Sequence, residues 1–224
     1  MMVFRNHVLL LFVTLIWQFS CSQPTNPTSN INNTEMIEEN ASKPMDIAVF
    51  GGGCFWCVES VYLQLQGVVK VESGYSGGDV KNPTYREVCY GKTGHAEVIR
   101  ILYNAQEITY KDLLQAFFLS HDPTTLNRQG NDIGTQYRSV IFYSNKEQQE
   151  EAVSLINKLD KSGAFSNKIV TEVLPLGEFY VAEDYHQNYY NLNKDEPYCQ
   201  FVIRPKLEKF EKIFKEKLKR KTGD

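Results

Sequence analysis

From residue 46 onward, apolar and polar positions follow regular periods that change from segment to segment. Asp46-Ile-Ala-Val-Phe50 is a short apolar run of strand type. Val58, Val61, Tyr62 and Leu65 then recur at i, i+3, i+4 and i+7, one face of a helix that Gly67 is placed to close. Residues 68–73 predict a second strand that runs into a Gly-rich turn at 74–78. Residues 79–94 read as loop, punctuated by Pro83, Gly91 and Gly94. A strand over 97–103 follows, then a capping box at Thr109 and Asp112, and a helix with Leu113, Leu114, Phe117 and Phe118 on its core face. Residues 122–135 are polar and turn-rich, a long loop of the kind that often carries function. Further on, the pattern predicts a strand at 137–143 and a helix capped by Ser144 and Glu147, with Ala152, Leu155, Ile156 and Leu159 facing inward. The remaining elements are a strand at 171–176, a Tyr-rich helix at 182–191 and an amphipathic helix from Pro205. Strands and helices mix without strict βαβ alternation, so the pattern gives one α+β domain over residues 46–224.

The first 45 residues belong to something else. Arg5 is a short positive region, and residues 8–17 are an apolar stretch of about ten residues, the right length for a secretory signal and too short to span a bilayer. Phe19-Ser-Cys21-Ser resembles a bacterial lipoprotein cleavage site, with Gln18 departing from the usual apolar residue. Residues 1–20 are therefore expected to be a signal peptide, with Cys21 lipidated. Residues 21–45, rich in Asn, Thr, Ser and Pro, form a flexible linker. The domain would then sit outside the cytoplasmic membrane, periplasmic or at the cell surface. Over 224 residues, 42% hydrophobic and 23% charged, the composition is that of an ordinary globular protein. A net charge of −3 gives no electrostatic footprint for nucleic acid, and the late run of lysines is interrupted by Glu208, Glu211 and Glu216, as on a solvated helix face.

The chemistry gathers at Gly51-Gly-Gly-Cys54-Phe-Trp-Cys57. Cys54 falls between a strand and a helix, where free helical N–H groups and the helix dipole would lower its thiol pKa. The glycines would leave the sulfur open to attack, and Phe55 and Trp56 put two aromatic faces beside it. The third glycine of a dinucleotide-binding turn would fall at Trp56, which removes that reading. Two alternatives use the same cysteines. A thioredoxin-like disulfide oxidoreductase would use Cys54 and Cys57 as its redox pair. A zinc-stabilised binding domain would add Cys89, Cys199 or a histidine, although no second closely spaced ligand pair exists. His186 downstream of these cysteines also suits a papain-like arrangement, but such proteases carry an aromatic where this chain has Val58.

Gly53-Cys54-Phe-Trp56 resembles the active-site signature of the A-type peptide methionine sulfoxide reductases. The likeness continues through Ser73-Gly-Tyr-Ser-Gly-Gly78, Asn82-Pro-Thr-Tyr85-Arg-Glu-Val-Cys89 and Thr93-Gly-His95-Ala-Glu97. Asp132-Ile-Gly-Thr-Gln-Tyr137 and Ala182-Glu-Asp-Tyr-His186-Gln complete it, in the family's order. The resemblance implies a two-layer sandwich around a ferredoxin-like core; a monomer is expected. It implies reduction of free and peptide-bound methionine-S-sulfoxide, a repair of oxidised proteins. No metal or organic cofactor is implied, and an external thioredoxin-like dithiol would recycle the enzyme. Residue by residue, it makes Cys54 the nucleophile and Glu97 an acid kept protonated by desolvation. Tyr85 and Tyr137 would hydrogen-bond the sulfoxide oxygen, Phe55 and Trp56 would pack on the methyl, and Asp132 would shape the pocket. Cys57 and Cys199 match resolving positions in different branches, while Cys89 matches a structural one. Cys57, one helical turn from Cys54, is the slightly better placed to resolve the sulfenic acid.

Overall fold

The computed structural model describes residues 44–220, which belong to one compact unit. The expected signal peptide, Cys21 and the linker up to residue 43 lie outside the described residues. Met45, expected in the linker, instead opens the first strand, where it pairs with Asn104.

The core runs β1 (Met45–Gly52), α1 (Phe55–Tyr62), β2 (Val68–Ser76), β3 (Ala96–Asn104), α3 (Tyr110–Ser120) and β6 (Ser139–Tyr143), with a short helix α2 (Tyr85–Cys89) between β2 and β3. A two-residue hairpin, β4 (Arg128–Gln129) and β5 (Asp132–Ile133), stands apart in the segment that reads as a loop. β3 pairs antiparallel with both β1 and β2, and β1 pairs antiparallel with β6. The order β6-β1-β3-β2 with helices after β1 and β3 is the ferredoxin-like arrangement. Two outer strands extend it: β7 (Glu172–Pro175), parallel to β6, and β8 (Phe179–Val181), antiparallel to β2.

Strand alternation sorts the sheet residues onto two faces. Ala48, Phe50, Ile99, Ile101 and Ile141 join the main core with the helices, while Val49, Val98, Val140 and Phe142 form a smaller cluster on the other side. Glu97 shares the parity of Ile99 and Ile101, so β3 aims a carboxyl at the helix layer. Phe50 sits at the centre, its ring 5.2 Å from Phe117 and 5.9 Å from Tyr62.

Several expectations shift in detail. α1 ends at Tyr62, and Gly67, at φ +80°, serves a later turn whose carbonyl accepts from Asn104 N–H. The reason is a bridge from Leu65 to Leu218 that draws the chain out of the helix. The segment 79–94 holds α2, which carries a full Thr84–Glu87 capping box. The Thr109–Asp112 box opens α3 as expected. Helix α4 (Lys146–Ser162) is capped by Asn145 rather than Ser144, because the Asn145 side chain accepts from Gln148 N–H while Gln148 Oε1 accepts from Ser144 N–H. Tyr137 belongs to a 3₁₀ turn, Thr135–Tyr137, ahead of β6. The expected helix at 182–191 is a 3₁₀ turn, Asp184–His186, then α5 (Tyr189–Leu192), separated by Asn188 at φ +52°. The run after Cys199, β-like in sequence, is a π-helical turn, Cys199–Ile203, leading into α6 (Arg204–Ile213).

Candidate active site

β1 delivers Cys54 to the start of α1, where it is the N-cap residue. The turn is tight: Gly53 has φ +94°, and a Cβ there would lie 2.6 Å from the Gln129 side chain. Gly51 and Gly52 belong to β1 and are equally hemmed in, so the glycines permit close packing rather than bare the sulfur. Cys54 is only 8% exposed.

The expected fall in the Cys54 thiol pKa is overturned. Burial, then the hydrogen bond and charge of Cys57, then Glu97, push the Cys54 thiol well up. The physical reason is visible at the helix start. The first free N–H, that of Phe55, donates to Glu97 Oε2 at 3.0 Å instead of facing the sulfur. Cys57 takes the opposite direction. The hydrogen bond from Cys54, working against burial and helped by the Lys206 ammonium and Tyr198, pulls it down to about 7. The two thiols titrate together, Cys54 drawn up and Cys57 drawn down by the hydrogen bond between them.

Glu97 is 1% exposed, and burial drives its carboxyl up to about 8, with Asp132 and Cys57 adding to the shift against the Phe55 N–H. At neutral pH it carries a proton. Tyr85, at the start of α2, and Tyr137, in the 3₁₀ turn before β6, are half-buried. Burial and the nearby Glu97 raise both phenols, so both are donors. Tyr137 also senses Cys54 and Asp132. Cys89 lies close enough to Tyr85 to add to the rise of that phenol. Cys89, which reads as structural in the sequence, thus adjoins a site residue.

The aromatic wall is larger than the sequence suggests. Phe55 is buried, stacked on Tyr85 at 6.2 Å and tilted against Tyr75 and His186. Trp56 is the more open ring. It lies on Tyr189 at 3.6 Å and 7°, meets Tyr198 edge-on, and donates its indole N–H to His186 Nδ1 at 3.1 Å. Burial lowers His186, so it is neutral and can accept that bond. His186 therefore orients Trp56. Its partners come from a polar frame: Glu183 accepts from Tyr75 Oη and from Tyr85 N–H, both at 2.9 Å. Glu59 on α1 accepts from the backbone N–H of Asn188 at 2.8 Å and of Tyr189 at 3.2 Å. Asp132, on β5, accepts from Tyr198 Oη at 2.8 Å, and Tyr198 lies 3.8 Å from Cys57 Sγ.

Cys199 is fully buried, pushed up by burial and then by the charge of Cys57. Among the described residues, no group of three or more His, Cys, Asp or Glu gathers in a way that could hold a metal. The structure thus brings Cys54, Cys57, Glu97, Tyr85, Tyr137, Phe55, Trp56 and Asp132 into one neighbourhood. Tyr189, Tyr198, Glu59 and Lys206 join it unforeseen, and His186, read in the sequence only within the motif at 182–187 and a rejected papain-like arrangement, joins it as the partner of Trp56. The tyrosine-rich run near residue 185 hinted at Tyr189, and that run reads equally well as helix surface.

A buried sulfur, a proton-holding carboxyl, two phenol donors and an aromatic wall suit attack on a small apolar group bearing a basic oxygen. The family model for peptide methionine sulfoxide reductase matches residues 46–218. The peptide methionine sulfoxide reductase MsrA of Trichodesmium erythraeum is 55% identical over 170 residues, 76% of this chain and 96% of that protein. The MsrA of Saccharolobus solfataricus is 52% identical over 179 residues, 80% of this chain and all of that one. Among solved structures, methionine sulfoxide reductase A of Corynebacterium diphtheriae has a TM-score of 0.66 at 37% identity, covering 71% of this chain and 80% of its own. Reduced Mxr1 of Saccharomyces cerevisiae has a TM-score of 0.64 at 34% identity, covering 71% and 91%. The chain belongs to the MsrA family of peptide methionine sulfoxide reductases.

Proposed function

We propose that this domain reduces free and peptide-bound methionine-S-sulfoxide to methionine with two cysteine thiols. The observation that carries this is Glu97: a buried carboxyl bonded to the N–H beside Cys54, near two phenols, and raised to about 8 by that burial. Cys54 attacks the sulfoxide sulfur. Glu97 protonates the departing oxygen, which Tyr85 and Tyr137 hold by hydrogen bonds, and it regains a proton as the Cys54 thiol loses its own. The hydroxyl passes from the substrate sulfur to the Cys54 sulfur as the bond between the two sulfurs breaks, so methionine leaves and Cys54 is a sulfenic acid. Trp56, held by His186 and Tyr189, presents an apolar face to the substrate methyl, and Phe55 backs it. A plain dithiol exchanger would need neither the acid nor this wall.

Cys57 then closes the first disulfide. Its hydrogen bond with Cys54 and its lowered pKa favour it over the fully buried Cys199, which lies within electrostatic reach of it and can take the disulfide in turn. A thioredoxin-like dithiol returns the pair to thiols. Two electrons pass from the cysteines to each sulfoxide. Without reductant, purified protein should release about one methionine per chain for each disulfide formed, and Cys54→Ser should release none. Methionine release by Cys54→Ser would refute the mechanism.

We also propose that residues 1–20 direct export and that Cys21 carries a lipid. The support is the apolar run at 8–17 and the Phe19-Ser-Cys21-Ser sequence ahead of a polar tether. The repair would then act on oxidised proteins outside the cytoplasm.

A further inference from the structure

Cys57 differs from the other described cysteines in its company. Burial pushes Cys54, Cys89 and Cys199 up, whereas Cys57 is drawn down. Lys206 Nζ lies 3.8 Å from Cys57 Sγ, and Tyr198 Oη approaches the same sulfur at 3.8 Å. Lys206 is half-buried on the first turn of α6, directly after the π-helical turn that carries Cys199. Such turns recur at functional sites. The other side chains of α6 either join the core, as Leu207 and Phe210 do, or face outward, so the amine beside a buried sulfur calls for a reason.

We propose that Lys206 is a catalytic residue of the second half-reaction: its ammonium holds Cys57 as the thiolate that attacks the oxidised sulfur of Cys54. In that step a Cys57–Cys54 S–S bond forms and the Cys54 S–O bond breaks. The hydroxyl departs as water with a proton from Glu97, and no outside oxidant or reductant is needed. The groups that bear on Cys57 are Cys54, which donates to it, Tyr198, whose hydroxyl lies 3.8 Å from its sulfur, Lys206, which is opposite in charge, and Asp132, Glu97 and Cys199. Asp132 opposes the thiolate but is itself occupied by the Tyr198 hydroxyl. Lys206 is therefore the one full positive charge in the set. The sulfenic acid is the species most exposed to further oxidation, and a ready thiolate shortens its life.

This inference rests on Cys57 as the resolving thiol, and the test separates the two. Alkylation of Cys57 in the reduced protein, followed by peptide mapping across pH, reads the thiolate alone. Lys206→Met should raise its midpoint by about one pH unit, and Lys206→Arg should keep it low. After one equivalent of sulfoxide, disulfide formation in Lys206→Met should be roughly threefold slower at pH 6. It should be roughly threefold faster at pH 9, because a less acidic thiol is the stronger nucleophile once ionised. A merely structural role would lower both rates together. An unchanged alkylation midpoint in Lys206→Met overturns the inference, as does a rate lowered equally at both pH values. Disulfide formation at the wild-type rate in Cys57→Ser overturns the resolving role of Cys57, and with it the catalytic role of Lys206.

Discussion

A carboxyl that donates a proton near pH 7 must be kept from ionising, and Glu97 is kept so chiefly by burial at the foot of α1. Glu97→Gln preserves an acceptor for Phe55 N–H but has no proton to give. It should slow methionine release by roughly 10² to 10⁴. In the wild type the same step should fall as pH rises through about 8, the value to which Glu97 is raised. A rate within twofold of wild type in Glu97→Gln would remove the residue from the mechanism. The raised pKa also affects stability. Folded Glu97 keeps its proton up to about 8 while the unfolded side chain loses it near 4.5, so its contribution is present at low pH and lost between these values. The denaturation midpoint of Glu97→Gln should accordingly fall less between pH 5 and pH 8.5 than that of the wild type. That Cys54, Glu97, Tyr85 and Tyr137 gather in one site was legible because family spacing carries them. The direction of the Cys54 shift was not. A helix N-terminus suggests a lowered thiol, and only the packing reveals that Glu97 takes the free N–H.

At the scale of elements, strands and capped helices with clear periods were readable, and segments held by distant partners were not. β1, β3 and α3 lie where their patterns place them. The segment 179–192 does not, because its conformation is set from outside. β8 pairs with β2, Gln187 bonds Ser73 through both its amide groups, and Glu59 receives the N–H groups of Asn188 and Tyr189. Glu59 is raised to about 7 by burial, so this latch is a carboxyl near its titration point. Glu59→Ala would leave two N–H groups without their acceptor and should cost about 2 kcal/mol or more. It should also raise KM for the sulfoxide more than it lowers kcat, since Tyr189 would no longer be fixed against Trp56. Equal KM in Glu59→Ala and wild type would show that the latch does not shape the substrate wall. The C-terminal segment is tied down in the same remote fashion: Gln66 N–H donates to the Lys217 carbonyl at 2.8 Å, and Lys217 pairs with Asp112 at 3.1 Å.

For the whole molecule, the βαββαβ core explains why chemistry sits where it does. The ends of β1 and β3 converge under the first turn of α1, and the hairpin, the 3₁₀ turns and the π turn close around that point. Pattern alone gave α+β, and the family resemblance supplied the ferredoxin-like order, which depends on non-local pairing that no local period encodes. Cys21→Ala should move the protein from the membrane fraction to the soluble fraction of the exported compartment with its reductase activity intact, and a wild type already soluble there would contradict the lipid anchor. The central claim is a chiral sulfoxide reduced by Cys54 in a site built of fixed donors and a fixed wall, and separate enzymes serve the two epimers. The most direct measurement is a single turnover of purified domain with each methionine sulfoxide epimer, counting methionine released and thiols lost. About one methionine released and two thiols lost per chain are expected with the S epimer, and neither with the R epimer. Equal turnover of both epimers, or methionine released without loss of thiols, would contradict it.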